Sequence, residues 1–256
     1  MAGMLSDMPV LILILSLVVV SVAGFVKGAV GFAMPMIMIS GLGSFMPAET
    51  AIAALILPTV VTNLNQAFRH GFGHAWASFR RLWRFNLILF AMILVSAQLV
   101  RVLPQWVLFV LLGGMVVFFA SLQLAGWKPV IRKGFERVSE AVIALFAGFF
   151  GGLTGVWGPP LILYLTAMDV PKVESVRIQG VSYLLGSILL LGAHLKSGVL
   201  NAETLPYSAL MVVPAILGQL IGRRTHDGMD QMLFRRVTLV VLVIAGLNLL
   251  RRGMFG

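Results

Sequence analysis

The sequence predicts an all-α polytopic membrane protein built from two inverted-topology repeats. Three observations predict this class. Apolar runs near the length of a bilayer span recur along the chain, which is 59% hydrophobic and only 11% charged. The sequence also repeats itself at an offset of 124 residues, and Lys and Arg collect in short segments between the apolar runs. A soluble core of this size would need far more charged surface.

The repeat is clearest around residues 23–38. Six of these sixteen residues are identical to the residue 124 places later. Internal repeats in membrane chains are typical of transporter folds. We expect a first transmembrane repeat over residues 1–126, a cytoplasmic linker over 127–138 and a second transmembrane repeat over 139–256.

Ten apolar segments are predicted, five in each repeat. The second segment of each is rich in Gly and Pro, so we expect each repeat to hold a broken-helix or re-entrant hairpin plus three transmembrane helices, 8–10 membrane segments in all. The segments are 9–27, 29–46, 48–68, 85–103, 106–126, 139–153, 156–168, 173–195, 205–222 and 232–250.

The hairpin crosses the membrane twice or not at all, so each repeat, with its three further helices, crosses it an odd number of times. The second repeat should therefore be inverted. The charge distribution agrees with this. Basic residues cluster in 69–84, 127–137 and 223–231, which the positive-inside rule puts in the cytoplasm. We therefore expect a multi-pass protein of the inner (cytoplasmic) membrane with both termini outside. Basic residues placed in this way do not indicate nucleic-acid binding.

A Gly/Pro element recurs in both repeats. Glycine permits close backbone approach, and proline suits the first turn of a new helix. Two broken helices would then aim their positive amino ends at one cavity, which is a ready anion site. The alternative is that the small residues only let helices pack closely. The candidate binding residues in these elements are Gly28, Gly31 and Pro35 in the first repeat, and Gly152, Gly155, Trp157, Gly158 and Pro159 in the second.

Polar residues also line one face of the third segment of each repeat. They fall within about 100° of arc at helical spacing in the first repeat and within about 80° in the second. Such groups must face protein or water because lipid offers no hydrogen-bond partner, and they serve either a substrate or interhelical hydrogen bonds. The candidates for substrate contact are Thr59, Asn63 and Gln66 in the first repeat, and Gln179, Tyr183 and Ser187 in the second.

Several ionisable residues add candidate roles. Lys27 either extends to the inner surface or supplies a cation for an anionic substrate. Glu49 and Glu174 lie in first helical turns, where a carboxylate complements the helix dipole, and Glu174 can pair with Arg177. Proton coupling is the sharper hypothesis for both acids. His70 and His194 are candidates for proton coupling or for an interfacial position.

No phosphate-loop, zinc-protease or serine-hydrolase motif is present, so the sequence predicts no enzyme, no cofactor and no metal site. The partners that we expect are a small anionic substrate, a coupling proton and membrane lipid, with a homo-oligomer left open. An anion channel and a non-transporting membrane scaffold are the alternatives to a secondary transporter.

The two Gly/Pro elements and the prolines just before Glu49 and Glu174 resemble the TauE/SafE family of sulfite exporters, in the TSUP group of transmembrane anion permeases. The resemblance covers 18–250, although Ala29, Phe32 and Leu153 stand where many members have glycine. It implies a permease for small sulfur-containing anions such as sulfite or organosulfonates, in either direction.

Overall fold

The computed structural model describes residues 8–68, 71–127, 130–132, 134–224 and 230–255. Within these ranges the chain is helical and contains no strand. The helices are α1 (Val10–Val30), α2 (Met34–Leu42), α3 (Ala48–Ala67), α4 (Phe72–Arg81), α5 (Trp83–Ser96, continued by a 3₁₀ turn over Ala97–Arg101), α6 (Gln105–Leu124), α7 (Glu136–Thr154), α8 (Gly158–Ala167), α9 (Lys172–Ser197), α10 (Leu205–Arg224) and α11 (Gln231–Phe255).

Eight of these helices are long and apolar enough to cross a bilayer, namely α1, α3, α5 with its 3₁₀ turn, α6, α7, α9, α10 and α11. The polytopic all-α class is therefore confirmed. The three remaining helices, α2, α4 and α8, have 9, 10 and 10 residues, about half the length of a span.

The helix boundaries repeat at the spacing of the sequence repeat. Both α1 and α7 end at a glycine in the left-handed conformation, Gly31 (φ 83°) and Gly155 (φ 71°). Both α3 and α9 begin directly after a proline, Pro47 and Pro171. Glycine ends a helix and proline starts one for the same conformational reasons in both halves.

Contacts along the helices fix their relative directions. Gly24 and Gly28 of α1 pack against Ala215 and Gln219 of α10, so these two helices run parallel. Close glycine packing of this kind lets membrane helices approach through their backbones.

The two central helices, α3 and α9, run antiparallel. The Nδ2 of Asn63 donates to the carbonyl of Tyr183, and Gly180 lies beside Ala67. Helix α3 runs parallel to α10, because the Nε2 of Gln219 donates to the carbonyl of Thr62, and Ser208, about three turns earlier in α10, accepts from the amide of Leu57.

Helix α5 runs parallel to α7, since the Ser96 hydroxyl donates to the carbonyl of Gly148 and Glu140 accepts from the amide of Phe85. It also runs parallel to α9, because Arg81, just before α5, pairs with Glu174, and Gln98 bonds to the carbonyl of Ala193.

Helix α11 runs alongside α2 in the same direction. Arg235 stacks on Phe32 at one end, and Arg252 donates to the carbonyl of Gly43 at the other.

Helix α2 folds back along α1, with Gly41 beside Val19, so α11 is antiparallel to α1. Helix α6 is in turn antiparallel to α11. Hence α1, α3, α6 and α10 point one way, and α5, α7, α9 and α11 point the other.

Proline inside α3 shapes the core next to the helix breaks. Pro58 has no N–H, so it leaves the carbonyl of Ala54 without its helical donor. The hydroxyl of Ser208 on α10 lies 3.4 Å from that carbonyl and accepts from the amide of Leu57 at 3.2 Å. A neighbouring helix thus satisfies the interrupted ladder, as proline-containing membrane helices require.

Two segment boundaries differ from the sequence prediction. The segment expected over 29–46 is helical only from Met34 to Leu42, because α1 extends to Val30 and a turn occupies 43–47. A ten-residue amphipathic helix, α4, lies within 69–84, which was expected to be a loop. Its apolar stripe of Phe72, Trp76 and Phe79 is too short to cross a bilayer, so the search for spans did not predict it.

Candidate functional site

A small cavity lies where the two helix breaks meet. Its volume is about 30 Å³, which is room for about two water molecules. The first break contributes the start of α2, and the second contributes the start of α8. The lining residues are Lys27, Phe32, Ala33, Pro35, Met36, Thr59, Asn63, Gly155, Val156, Trp157, Gly158, Pro159 and Tyr183.

The amino ends of α2 and α8 both border this cavity. Each carries a proline in its first turn, Pro35 and Pro159. The α2 end starts from Ala33, whose φ of 76° is rare for a residue with a side chain and reflects a tightly constrained turn. The first amides of a helix have no partners within the helix, and they carry the positive end of its dipole. Both ends therefore make the cavity favourable for negative charge.

Lys27 brings its side-chain amino group to the same cavity. Its side chain is 3% exposed and comes from the last turn of α1. The ammonium donates to the hydroxyl of Thr62 at 2.9 Å and to the Oδ1 of Asn63. No carboxylate of the described residues forms an ion pair with it. An ammonium has three donors, so these two bonds leave one for a ligand.

Asn63 is held on both sides of its amide. Its Oδ1 accepts from Lys27, and its Nδ2 donates to the main-chain carbonyl of Tyr183 at 3.1 Å. The lysine can only donate, which fixes the orientation of the amide. Asn63 therefore links α1, α3 and α9 at one point beside the cavity.

Trp157 provides a further donor. Its indole is 2% exposed, and its Nε1 has no hydrogen-bond partner within the described part of the chain. The ring packs edge-to-face on Tyr183, with centroids 6.4 Å apart. Indole nitrogen only donates, and a buried donor without a partner costs about 1–3 kcal/mol. The Nε1 side of the indole packs beside Gly186 of α9. The cavity thus combines a buried lysine and two helix amino ends, which suits an anion.

A comparison with protein-family models matches residues 16–249 to the family described as "Sulfite exporter TauE/SafE". The chain belongs to the TauE/SafE sulfite exporter family. The resemblance drawn from the Gly/Pro elements is thereby confirmed. This family is described by transport and not by an enzymatic reaction. The search of curated proteins and the search of solved structures each return no match.

In this TauE/SafE protein, nine of the fifteen candidate binding residues line the cavity, and six do not. Gly28 and Gly152 lie in helix crossings, against the backbones of α10 and α5. Gly31 ends α1 in the left-handed conformation. The six residues away from the lining are Gly28, Gly31, Gln66, Gly152, Gln179 and Ser187.

The three polar residues away from the lining bond to protein. The Nε2 of Gln66 donates to the carbonyl of Gly31 at 3.3 Å, which holds the end of α1. Gln179 bonds to Ser175 and accepts from the Tyr183 hydroxyl. Ser187 donates to the carbonyl of Leu184. Gln66 and Gln179 therefore support neighbours of the cavity.

Both candidate proton-coupling acids form ion pairs away from the cavity. Glu49 lies 3.5 Å from Arg101, with both side chains about half exposed. Glu174 pairs with Arg81 of α4. The prediction that Glu174 pairs with Arg177 is wrong, because α4 brings Arg81 to that carboxylate. Such partly exposed pairs contribute about 0–1 kcal/mol.

The two candidate histidines have different outcomes. His194 is buried near the end of α9, and its Nδ1 lies 3.2 Å from the Ser197 hydroxyl. It does not line the cavity. His70 lies outside the described residues.

Sequence reasoning passed over two features of the site. Thr62 lies on the same face of α3 as Asn63, and no sequence signal indicates that it meets Lys27 of another helix. The left-handed conformation of Ala33 has no signal either, because alanine gives no hint of positive φ.

Proposed function

We propose that this chain is a secondary transporter that moves a small anion, sulfite or an organosulfonate, across the inner membrane by alternating access. Membership of the TauE/SafE family supports a membrane anion transporter. The observation that carries the finer proposal is Lys27, a buried lysine with no carboxylate partner in the described ranges, which lines the cavity together with Trp157. A buried charge without a counter-ion is costly, and a bound anion would offset that cost.

The helix directions support an inverted repeat. The counterparts of α1, α3, α5 and α6 at an offset near 124 residues are α7, α9, α10 and α11. Each member of the first set runs opposite to its counterpart, as the packing contacts require. Transporters with inverted repeats hold their substrate between the repeats and expose it to each side by rocking one part against the other.

The basic residues support the membrane orientation. Arg223 and Arg224 end α10, and Arg80, Arg81 and Arg132 follow α3 and α6 at the same end of the bundle. By the positive-inside rule this end is cytoplasmic, which puts both termini outside.

The cavity size favours a carrier over the alternative, an anion channel. A volume of about 30 Å³ fits a small ion stripped of most of its water, whereas an open pore would need a continuous wet path. A bulkier organosulfonate would need the helix breaks to separate. A membrane scaffold, the remaining alternative, has no use for a buried cation at a cavity.

The test is flux in proteoliposomes. We expect saturable uptake of labelled sulfite, reduced by competing sulfonates and little affected by a cation such as choline. Gly158→Leu would fill the cavity, because a β-carbon at Gly158 already meets the Tyr183 hydroxyl oxygen at 2.7 Å, and should abolish uptake. Gly192→Leu, where a β-carbon meets no atom within 4 Å, is the matched control. Uptake that never saturates would favour the channel, and equal uptake by both variants would contradict the proposed site.

A further inference from the structure

A second, larger hollow lies on the outside of the helix bundle between α3, α4 and α9. Its volume is about 260 Å³ by the same measure, far larger than the cavity at the helix breaks. Every residue that lines it is apolar. The main contributors are Phe68, Phe72, Trp76, Phe79, Leu184 and Leu185.

The α4 side of this groove is open to the surroundings. Phe72 and Trp76 are 71% and 54% exposed, although their neighbour Phe79 is packed against α9. Residues 72, 76 and 79 share one face of α4 at helical spacing. An apolar groove that opens toward hydrocarbon can accept an acyl chain, whereas it offers no polar group to a small hydrophilic anion.

Two arginines lie on the helices that line the groove, toward its cytoplasmic end. Arg80 is exposed and follows Trp76 by one helical turn on α4. Arg177 precedes Val181 and Leu184 by one and two turns on the α9 face that lines the groove, and its Nε is buried without a hydrogen-bond partner in the described ranges. No carboxylate there forms an ion pair with either arginine, since Glu174 pairs with Arg81.

We propose that this groove binds one anionic phospholipid, with an acyl chain between α4 and α9 and the phosphate on Arg80 and Arg177. Depth along α9 fits this arrangement. Arg177 lies about 8 Å from the start of α9, and the groove residues Val181 to Leu185 lie about 14–20 Å from it. The charged pair is thus near the headgroup region, and the apolar walls lie at acyl-chain depth. Basic pockets between helices on the cytoplasmic side are known to favour anionic headgroups.

Native mass spectrometry of the detergent-purified full chain tests the proposal. The probes are phosphatidylglycerol and phosphatidylcholine with the same acyl chains, together with glycerol phosphate, which has the charge without the chain. We expect one phosphatidylglycerol retained at least about fivefold better than phosphatidylcholine, and no effect of glycerol phosphate.

Two variants separate the headgroup from the chain. Arg177→Gln should remove the preference for phosphatidylglycerol and leave general lipid binding in place. Ala75→Trp should fill the groove and release both lipids. The matched controls are Arg132→Gln, an exposed arginine in the linker, and Val240→Trp on the exposed face of α11, which should behave like the parent.

Equal retention of the two lipids by the parent would overturn the proposal. So would an unchanged preference in Arg177→Gln, or displacement of phosphatidylglycerol by glycerol phosphate. If Ala75→Trp fails to fold, the Arg177→Gln result decides alone, because that substitution adds no volume. Sulfite flux plays no part in these outcomes, so failure here is distinct from failure of the transporter proposal.

Discussion

The ammonium group of Lys27 is held by the side-chain amide of Asn63, and that amide is held in turn by the main chain of α9. One residue of α3 therefore positions the buried charge of α1 against the opposite half of the protein. This relationship makes Asn63 a sensitive place to alter the charge of the cavity without changing its shape.

Asn63→Asp should abolish anion binding and leave the protein folded. A carboxylate of nearly the same shape would neutralise Lys27 internally, so an incoming anion would lose its main attraction. We expect at least a tenfold loss of sulfite affinity in a thermal-shift titration. In the unliganded protein the lost hydrogen bond to the Tyr183 carbonyl offsets part of the stability that the new ion pair adds. Asn65→Asp adds the same charge at an exposed position and is the control. Parent-like sulfite affinity in Asn63→Asp would contradict the role of Lys27.

Trp157→Phe should weaken anion binding about 5–30-fold, because it removes one hydrogen bond to a charged acceptor and keeps most of the ring. The measurement is the Km for sulfite uptake in proteoliposomes. Trp106→Phe, on an indole that is 60% exposed, is the control. An unchanged Km would mean that the buried indole N–H does not meet the substrate.

Gly152→Ala should destabilise the protein by about 1–3 kcal/mol through overpacking. A β-carbon there would lie 2.6 Å from the carbonyl oxygen of Ile93, and backbone on α5 cannot yield without separating the helices. The thermal unfolding midpoint should fall by several degrees, whereas Gly192→Ala should not lower it. If Gly152→Ala keeps the parent midpoint but loses sulfite binding, Gly152 belongs to the site after all.

Glu49→Gln and Glu174→Gln should each keep sulfite uptake near the parent rate. Both acids are partly exposed, pair with arginine and lie outside the cavity lining, so each pair contributes less than about 1 kcal/mol. The informative measurement is uptake with and without an imposed pH gradient. Selective loss of the gradient-driven part in either variant would instead assign that acid to proton coupling.

Much of the fold could be predicted because its determinants are local. Apolar length identifies the spans, and the matched Gly31/Gly155 and Pro47/Pro171 pairs mark the helix ends in both halves. The short helix α4 escaped prediction because ten residues with a narrow apolar stripe look like a polar loop.

The candidate site was predictable only in part, because side-chain partners depend on packing between distant segments. Lys27 meets Thr62 and Asn63 across 35 and 36 residues of sequence. Gln66 looked equally suited to a substrate from its spacing, yet it faces the carbonyl of Gly31. A polar stripe identifies which face of a helix is turned toward protein or water. It does not identify which polar residue of the stripe lines the cavity.

Binding of radiolabelled sulfite to the purified protein, compared with Lys27→Met, tests the central claim most directly. Methionine keeps most of the length of the side chain and removes its amino group, and Lys196→Met on an exposed lysine is the matched control. We predict saturable binding by the parent and the control, with at least a tenfold loss of affinity in Lys27→Met. Equal sulfite affinity in a folded Lys27→Met protein would contradict it.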